Sequence, residues 1–288
     1  MGYILSLIAG IFWGIAGIFV KYFNTQGLSA LDNTQVKMIF GFISVAIYLL
    51  IFKREYLKIK LKDIWVFACS GILSIMLMCI TYFKSMEFSV SIAAVLLYTA
   101  PIFVIIFSAV FFKEKITTKT VVAMIMAFVG CALVCGVVGG DTSMSLPGIL
   151  IGVASGIAYS LYSIFGRLAI NRGYGAWTIT LYSFLFCIIG NAFLCDWSVI
   201  GQVMSQPINI GWGAAFGVAT ALIPYVFYSL SLERISGGVA SIVCSIEPVV
   251  ATIVGVFMFN ENFDFFTASG IILTLGAVVL LSVKKKRA

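Results

Sequence analysis

Apolar runs of about 20 residues follow one another along almost the whole sequence, and this feature constrains the fold more than any other. A helix needs about 20 such residues to cross a hydrocarbon layer roughly 30 Å thick. The other structure that can span a bilayer is a β-barrel, and the two-residue alternation of barrel strands is absent. The composition agrees, since 62% of the 288 residues are hydrophobic and only 10% are charged. We therefore predict an all-α integral membrane protein.

The runs predict ten transmembrane helices and leave little sequence for a soluble domain. The longest connection, residues 196–210, has room for one short interfacial helix but not for a catalytic module. The predicted spans are about 3–23, 34–52, 64–84, 89–112, 119–138, 146–168, 176–195, 211–230, 237–259 and 265–283.

The net charge of +7 is distributed unevenly. Ten spans place both termini on one side, and every Lys and Arg except Lys21, Lys37 and Lys84 then falls on that side. Because basic residues collect in cytoplasmic loops, both termini are predicted to be cytoplasmic in a cell (plasma or inner) membrane. The charge is thus a topology signal: the lipid bilayer is a partner, nucleic acid is not, and the oligomeric state stays open between monomer and homodimer.

Several kinds of chemistry are excluded by residues that the sequence lacks. Histidine is absent, which removes Ser-His-Asp and Cys-His nucleophile arrangements and His-ligated metal sites. No P-loop pattern is present, so the chain does not hydrolyse ATP for its own energy. The seven cysteines show neither a disulfide framework nor zinc spacing. We predict no enzyme activity, no catalytic residues, no metal and no cofactor.

An internal repeat appears at an offset of 146 to 147 residues. It divides the chain into residues 1–140 and 141–288, each with five predicted helices. Because five is odd, the second unit is inverted relative to the first, which is a hallmark of secondary transporters. The anchoring matches are Trp13 with Tyr159, Lys21 with Arg167, Tyr82 with Tyr228, Pro101 with Pro248 and Glu114 with Glu261.

Pro101 and Pro248 interrupt corresponding hydrophobic segments, and each removes one backbone donor. Paired interruptions of this kind point to a transport site near the membrane centre, with the prolines as hinges. The alternative is a tolerated structural kink, since proline is common in membrane helices.

Glu247 is the eleventh residue of its predicted span, near the bilayer centre. A charged carboxylate there is costly unless it is paired, hydrated or protonated. We predict a role in proton coupling or in contacting a cationic group of the substrate. The alternative is a permanently neutral carboxyl that bonds a carbonyl freed by the kink. The first half has Ala100 at the matching position, so this role is asymmetric.

Tyrosine and tryptophan side chains on the repeated helices are candidates for lining a cavity, because each offers an apolar face and a hydrogen-bonding tip. Charged residues at helix ends are membrane anchors or caps by default, and Lys37 is also placed to attract an anionic substrate. Three glycine pairs at GxxxG spacing allow helices to approach closely. The aromatic candidates are Trp13, Tyr82, Tyr98, Tyr159, Tyr225 and Tyr228; the helix-end charges are Lys21, Lys37, Glu114, Arg167 and Glu261; the glycine pairs are Gly10/Gly14, Gly152/Gly156 and Gly213/Gly217.

With ten helices in a five-plus-five repeat, the chain resembles the EamA-type branch of the drug/metabolite transporter superfamily. The resemblance rests on Trp13-Gly14, on "APIFVIIFSAVFFKE" with Pro101, and on "EPVVATIVGVFMFNE" with Glu247, and it covers about residues 3 to 283. It implies two inverted halves around a central cavity and secondary transport of small metabolites, often amino acids and often outward. The sequence departs from the family at Lys37, where an arginine is frequent, so bidentate recognition by arginine is absent there.

These observations favour a secondary active transporter, an exporter or exchanger of small metabolites such as amino acids. It would work by alternating access at a midplane cavity, with proton coupling through Glu247. A gradient-independent uniporter or exchanger is the alternative within that class. An intramembrane lipid-handling enzyme and a ligand sensor are the alternatives outside it.

Overall fold

A computed structural model describes residues 1–137, 145–259 and 263–282, and within these ranges the chain is helical without strands. Eight of the described helical segments are long and apolar enough to cross a membrane, and two shorter apolar helices accompany them. The chain is thus a multi-pass membrane protein. In chain order, α1 to α10 are Gly2–Thr25, Ala30–Phe52, Leu61–Met86, Ser91–Phe112, Thr118–Val134, Leu146–Asn171, Ala176–Asn191, Pro207–Leu232, Gly237–Phe259 and Phe265–Ser282, with α5 and α7 the two shorter helices.

The predicted spans correspond to these segments, with differences at the ends. The helix α8 begins at Pro207, earlier than predicted, because that proline occupies its first turn, where no backbone donor is needed. The connection before it contains the helix Trp197–Met204, which Asp196 caps by accepting hydrogen bonds from the backbone N–H groups of Ser198 and Val199. The predicted unit boundary near residue 140 lies outside the described residues.

Three of the segments are broken in the middle. The break in α4 falls between Val90–Leu97 and Ala100–Phe112, and the break in α9 between Gly237–Cys244 and Glu247–Phe259. In both, the helix resumes with proline in its first turn, because proline cannot donate the hydrogen bond that would continue the preceding helix. The segment α1 consists of Gly2–Gly14 and Ala16–Thr25.

Two other segments contain a wider, π-helical stretch. In α3 the stretch Cys69–Met76 follows Leu61–Asp63 and Ile64–Ala68 and precedes Leu77–Met86. In α8 the stretch Val218–Leu222 lies between Pro207–Gly217 and Ile223–Leu232. Such stretches often occur at functional sites, and these two precede the tyrosines predicted to line a cavity. The short 3₁₀ turn Arg54–Leu57 connects α2 to α3.

Glycines allow the broken helices to be held closely. Gly10 of α1 lies against the break in α9, where a Cβ would come within 2.9 Å of the Cys244 carbonyl oxygen. Gly156 of α6 lies against the break in α4, where a Cβ would come within 2.8 Å of the Leu96 carbonyl oxygen. No other residue fits at these distances without displacement. These glycines therefore hold α1 close to α9 and α6 close to α4, while α5 and α10 pack against each other.

Candidate functional site

The centre of the bundle contains a cavity of about 370 Å³. Its wall is formed by α1, α2, α3, α4, α6, α8 and α9, so helices from both ends of the chain contribute. Eight of the residues singled out by the sequence line it: Trp13, Gly14, Lys37, Tyr82, Tyr98, Tyr159, Tyr225 and Glu247.

Aromatic rings form one wall of this central cavity. The Trp13 ring lies edge-on to Tyr225, with centroids 5.2 Å apart, and edge-on to Tyr159 at 6.2 Å. Tyr228, which lines the neighbouring small cavity and not this one, has its centroid 5.5 Å from Trp13 in a tilted arrangement. Aromatic pairs prefer such edge-on contacts, and they keep the wall rigid and apolar.

Glu247 lies where α9 resumes after its break, and it is half-buried. Its Oε2 accepts a hydrogen bond of 3.2 Å from the Tyr159 hydroxyl, and within the described residues it forms no ion pair. A carboxylate can accept several hydrogen bonds, so this one keeps most of its capacity free. The cavity-facing carboxylate can therefore take up a proton or bind a cationic group.

Lys37 projects from α2 into the same cavity. Its Nζ lies 5.9 Å from the centroid of the Phe216 ring, which is within the range of a weak cation–π contact. No ion pair joins it to Glu247 or to any other acid in the described part of the chain. The cavity thus carries one basic and one acidic group that do not neutralise each other directly.

The central cavity continues into a mouth of about 660 Å³, and the two share Gly14, Tyr82 and Tyr98 in their walls. The mouth reaches the end of α1, where Lys21 and Asn24 are exposed, and we call this side the open end. Lys21 holds its Nζ 3.6 Å from the centroid of the Phe259 ring at the end of α9. Pro248 lines this mouth.

On the opposite side Glu247 borders a small cavity of about 20 Å³, and we call this side the closed end. Pro101 and Tyr228 line the small cavity, together with Tyr98, Tyr159 and the serines 163, 241 and 245. The Ser163 and Tyr228 hydroxyls are hydrogen-bonded at 2.6 Å. Farther out, Arg167 and Glu114 form an ion pair of 3.3 Å.

The structure thus gathers every described residue of the predicted site around one passage, although the roles assigned to these residues stay predictions. Glu261 lies outside the described residues. Sequence reasoning missed Thr34, Cys79 and Phe216, which line the central cavity. It also missed Ser163, which follows Tyr159 by one helical turn and therefore lies on the same face of α6; that spacing was the available signal.

Among the described residues, no group of three or more Cys, Asp or Glu side chains has the geometry to hold a metal ion. The polar atoms of the cavity wall are mainly hydroxyls, one carboxylate and one amine. They suit hydrogen bonding and charge recognition of a small organic molecule.

Comparisons with known proteins agree with one another. The profile of the EamA-like transporter family matches residues 1–136 and 146–283. An uncharacterized transporter of Clostridium kluyveri is 29% identical, over 99% of this chain and 94% of the relative. An uncharacterized transporter of Archaeoglobus fulgidus is 28% identical, over 96% of this chain and 93% of the relative. The uncharacterized inner membrane transporter YicL of Salmonella typhimurium is 23% identical, over 99% and 96% respectively.

A solved crystal structure has a similar fold. It superposes with a TM-score of 0.76 over 98% of this chain and 96% of the other, at 17% sequence identity. At that identity the likeness concerns the fold alone.

Proposed function

The chain belongs to the EamA-like transporter family, and we propose that this membrane transporter is a secondary active exporter of small metabolites such as amino acids, driven by protons that enter in exchange. The observation that carries the proposal is a central cavity that opens at one end and has the Glu247 carboxylate in its wall. This carboxylate borders the wide cavity toward the open end and a cavity of only about 20 Å³ toward the closed end.

The proposed architecture is ten transmembrane helices in two inverted units, residues 1–140 and 141–288. Three paired features support it. The breaks of α4 and α9 precede Pro101 and Pro248, and π-helical stretches occur in α3 and α8. Gly10 and Gly156, which are separated by the repeat offset, each support one break. Units related in this way can exchange the shapes of their two ends, which is the basis of alternating access.

The proposed coupling is a competition for one carboxylate. Glu247 accepts a hydrogen bond from Tyr159 and has further lone pairs that face the cavity. Either a proton or the ammonium group of a substrate can neutralise the carboxylate, but not both at the same time. Because a charged carboxylate in the middle of a membrane protein is costly, the empty and unprotonated carrier reorients slowly. Export of one ammonium group is then exchanged for import of one proton.

The proposed substrate carries both charges. Lys37 offers a cation for a carboxylate, while Glu247 offers an anion for an ammonium group, and the two residues line one cavity without pairing. The aromatic wall between them accommodates an apolar side chain. A cavity of about 370 Å³ is within the range of small-ligand sites.

The proposed orientation follows the distribution of basic residues. With both termini in the cytoplasm of a cell membrane, Lys21 lies on the outer side and Arg167 on the inner side. The open end then faces outward and the closed end faces the cytoplasm. This conformation is ready to take up a proton from outside.

A flux assay tests the function. Proteoliposomes are loaded with a mixture of amino acids, the external medium is made acidic, and efflux of each compound is measured by mass spectrometry. We expect the pH gradient to accelerate efflux of a subset, and Glu247→Gln to lower that gradient-driven efflux about tenfold or more, since hydrogen bonds to a charged group contribute about 1.5 to 3 kcal/mol.

Two control variants define the result. Glu247→Asp keeps the carboxylate and should retain part of the response, while Glu55→Gln changes an exposed acid outside the cavity and should retain all of it. Unchanged gradient-driven efflux in Glu247→Gln would remove the coupling role. Efflux that needs an exchanged substrate but ignores the pH gradient would identify a gradient-independent exchanger instead.

A further inference from the structure

The closed end is held by one side chain that joins three elements. Arg167, near the end of α6, forms an ion pair of 3.3 Å with Glu114, which follows α4. It also donates a hydrogen bond of 2.6 Å from Nη2 to the carbonyl oxygen of Ile235, in the connection between α8 and α9. The two contacts tie α4 to elements of the second half of the chain.

The backbone at the end of α4 directs Glu114 toward this contact. Lys113 terminates the helix in the left-handed conformation, with φ of 55°, and the N–H of Glu114 donates back to the Ser108 carbonyl oxygen at 3.3 Å. A left-handed residue after a helix reverses the chain direction, and for a lysine it is an unfavourable conformation. The local strain is compensated by contacts of the turn, of which the ion pair of Glu114 is one.

Close packing lies directly beneath the ion pair. Gly238, at the start of α9, rests on Ile105 of α4, where a Cβ would come within 2.7 Å of Ile105 Cγ1. A Cβ at Gly237 would come within 3.1 Å of Ser108 Oγ. This contact between α4 and α9 adjoins the small cavity of about 20 Å³, because Val104, which a Cβ at Gly237 would approach to 3.3 Å, lines that cavity.

Outside the ion pair lies a vestibule of about 460 Å³, lined by Glu114, Arg167, Glu233 and Arg234. The pair therefore stands between the vestibule and the packed contact. A solute that leaves the central cavity through the closed end has to pass this point, and α4 and α9 have to separate.

We infer that the Arg167–Glu114 ion pair, with the hydrogen bond to Ile235, is the latch that keeps this end closed while the opposite end is open. The inference rests on the proposed alternating access. It adds which residues set the equilibrium between the two conformations of the transporter. Arg167 and Glu114 are positioning residues, since neither lines the central cavity.

The latch is strong enough to favour the conformation in which this end is closed, and weak enough to break when the transporter changes conformation. Its two side chains are 18% and 22% exposed, so water weakens the attraction. The Nε of Arg167 is buried without a hydrogen-bond partner, so the closed state does not satisfy the guanidinium fully. A fully paired, buried bridge would hold the carrier in one state.

The open end supports the same interpretation by contrast. The residue that matches Arg167 in the first half is Lys21. It lies over the Phe259 ring, whereas Glu261, the residue that matches Glu114, lies outside the described residues. The basic residue is thus paired with an acid at the closed end and lies on an aromatic ring at the open end.

Native cysteines report on the two ends and provide the test. Cys244 is buried and lines the small cavity at the closed end, whereas Cys135 is half-buried and lines the mouth at the open end. Purified protein is treated with N-ethylmaleimide, and the labelling of each cysteine is followed by peptide mass spectrometry. In Glu114→Gln we expect Cys244 to react about three- to fivefold faster and Cys135 to react more slowly, as loss of one partly exposed ion pair implies.

Two further variants guard against a general loosening of the protein. Arg234→Gln breaks the Glu233–Arg234 pair of 3.7 Å in the same vestibule, but that pair joins neighbours in sequence, so Cys244 labelling should not change. Arg167→Lys keeps the charge and loses the forked geometry, so a smaller increase than in Glu114→Gln is expected. Melting temperatures of all variants are measured alongside.

Equal labelling of Cys244 in Glu114→Gln and in the wild-type protein overturns the latch, and so does an equal increase in Arg234→Gln. The labelling needs no substrate, so its outcome is separate from that of the flux assay. Proton-driven efflux with unchanged labelling rejects the latch alone, whereas a labelling shift without any efflux rejects the transport proposal alone.

Discussion

The broken helices α4 and α9 have the same shape but different chemistry. Each stops in mid-segment and resumes with a proline in its first turn, and each break lies against a glycine of α6 or α1. The residue before the proline differs. In α4 it is Ala100, which is 3% exposed, and in α9 it is the half-buried Glu247.

This difference distinguishes the role of Glu247 from that of Pro248, although the two residues are adjacent in the sequence. The prolines and glycines occur at both breaks, so they account for the shape that the two breaks share. The carboxylate does not account for it, because α4 reaches the same geometry without one. Glu247 is therefore the residue for which a chemical explanation is needed, and it faces the central cavity.

The largest effect is expected from placing a carboxylate at the α4 break. Ala100 packs against α6, where Gly156 leaves no spare room, and the small cavity that it lines contains no basic side chain, so a glutamate there would be a buried charge without a counter-ion. We expect Ala100→Glu to destabilise the protein by roughly 3 to 5 kcal/mol, the range for an uncompensated buried charge. The melting temperature of the purified protein in detergent measures it.

Ala94→Glu is the matched control for this variant. Ala94 lies on the same helix but faces the mouth at the open end, where a carboxylate reaches water. Its melting temperature should stay near that of the wild-type protein. If Ala100→Glu proved equally stable, the α4 break would tolerate charge, and the contrast with α9 would have no physical basis.

Much of the architecture could be predicted from the sequence, because span length and hydrophobicity are local properties. The breaks could be predicted for the same reason, since a proline disrupts its own helix. Glu247 could be singled out as well, because the free-energy cost of a carboxylate in a membrane depends on its depth, which its position in the span indicates. The π-helical stretches left no comparable local signal. Nor did the pairing of Arg167 with Glu114, which depends on how α4 and α6 pack and on the left-handed turn at Lys113.

A second, smaller effect tests whether the two breaks are supported alike. Gly10→Ala and Gly156→Ala each place a methyl group within 3 Å of a backbone carbonyl oxygen, and backbone cannot move aside as a side chain can. We expect each to destabilise the protein by about 1 to 3 kcal/mol, the usual cost of overpacking. Melting temperatures of the two variants, compared with each other, provide the measurement.

Gly211→Ala is the control for these glycines, since nothing lies within 4 Å of a Cβ at that helical position. Alanine favours helices over glycine, so this variant should be neutral or slightly more stable. A stable Gly10→Ala beside an unstable Gly156→Ala would show that the two breaks are not equivalent in packing.

The smallest effect concerns the hydroxyl that contacts Glu247. In the first half the residue matching Tyr159 is Trp13, which has no hydroxyl, so this hydrogen bond belongs to the chemistry of α9 and not to the shared scaffold. The Tyr159–Glu247 contact of 3.2 Å is long for a hydroxyl that donates to a carboxylate. Tyr159→Phe therefore removes about 0.5 to 1.5 kcal/mol, the range for an ordinary hydrogen bond, and keeps the ring against Trp13. We expect proton-driven efflux to fall about two- to tenfold with little change in melting temperature.

Tyr22→Phe removes a hydrogen bond to Asn209 away from the central cavity and should leave efflux unchanged. Equal losses of efflux in both variants would assign the Tyr159 hydroxyl to general stability, and Glu247 would then act without it.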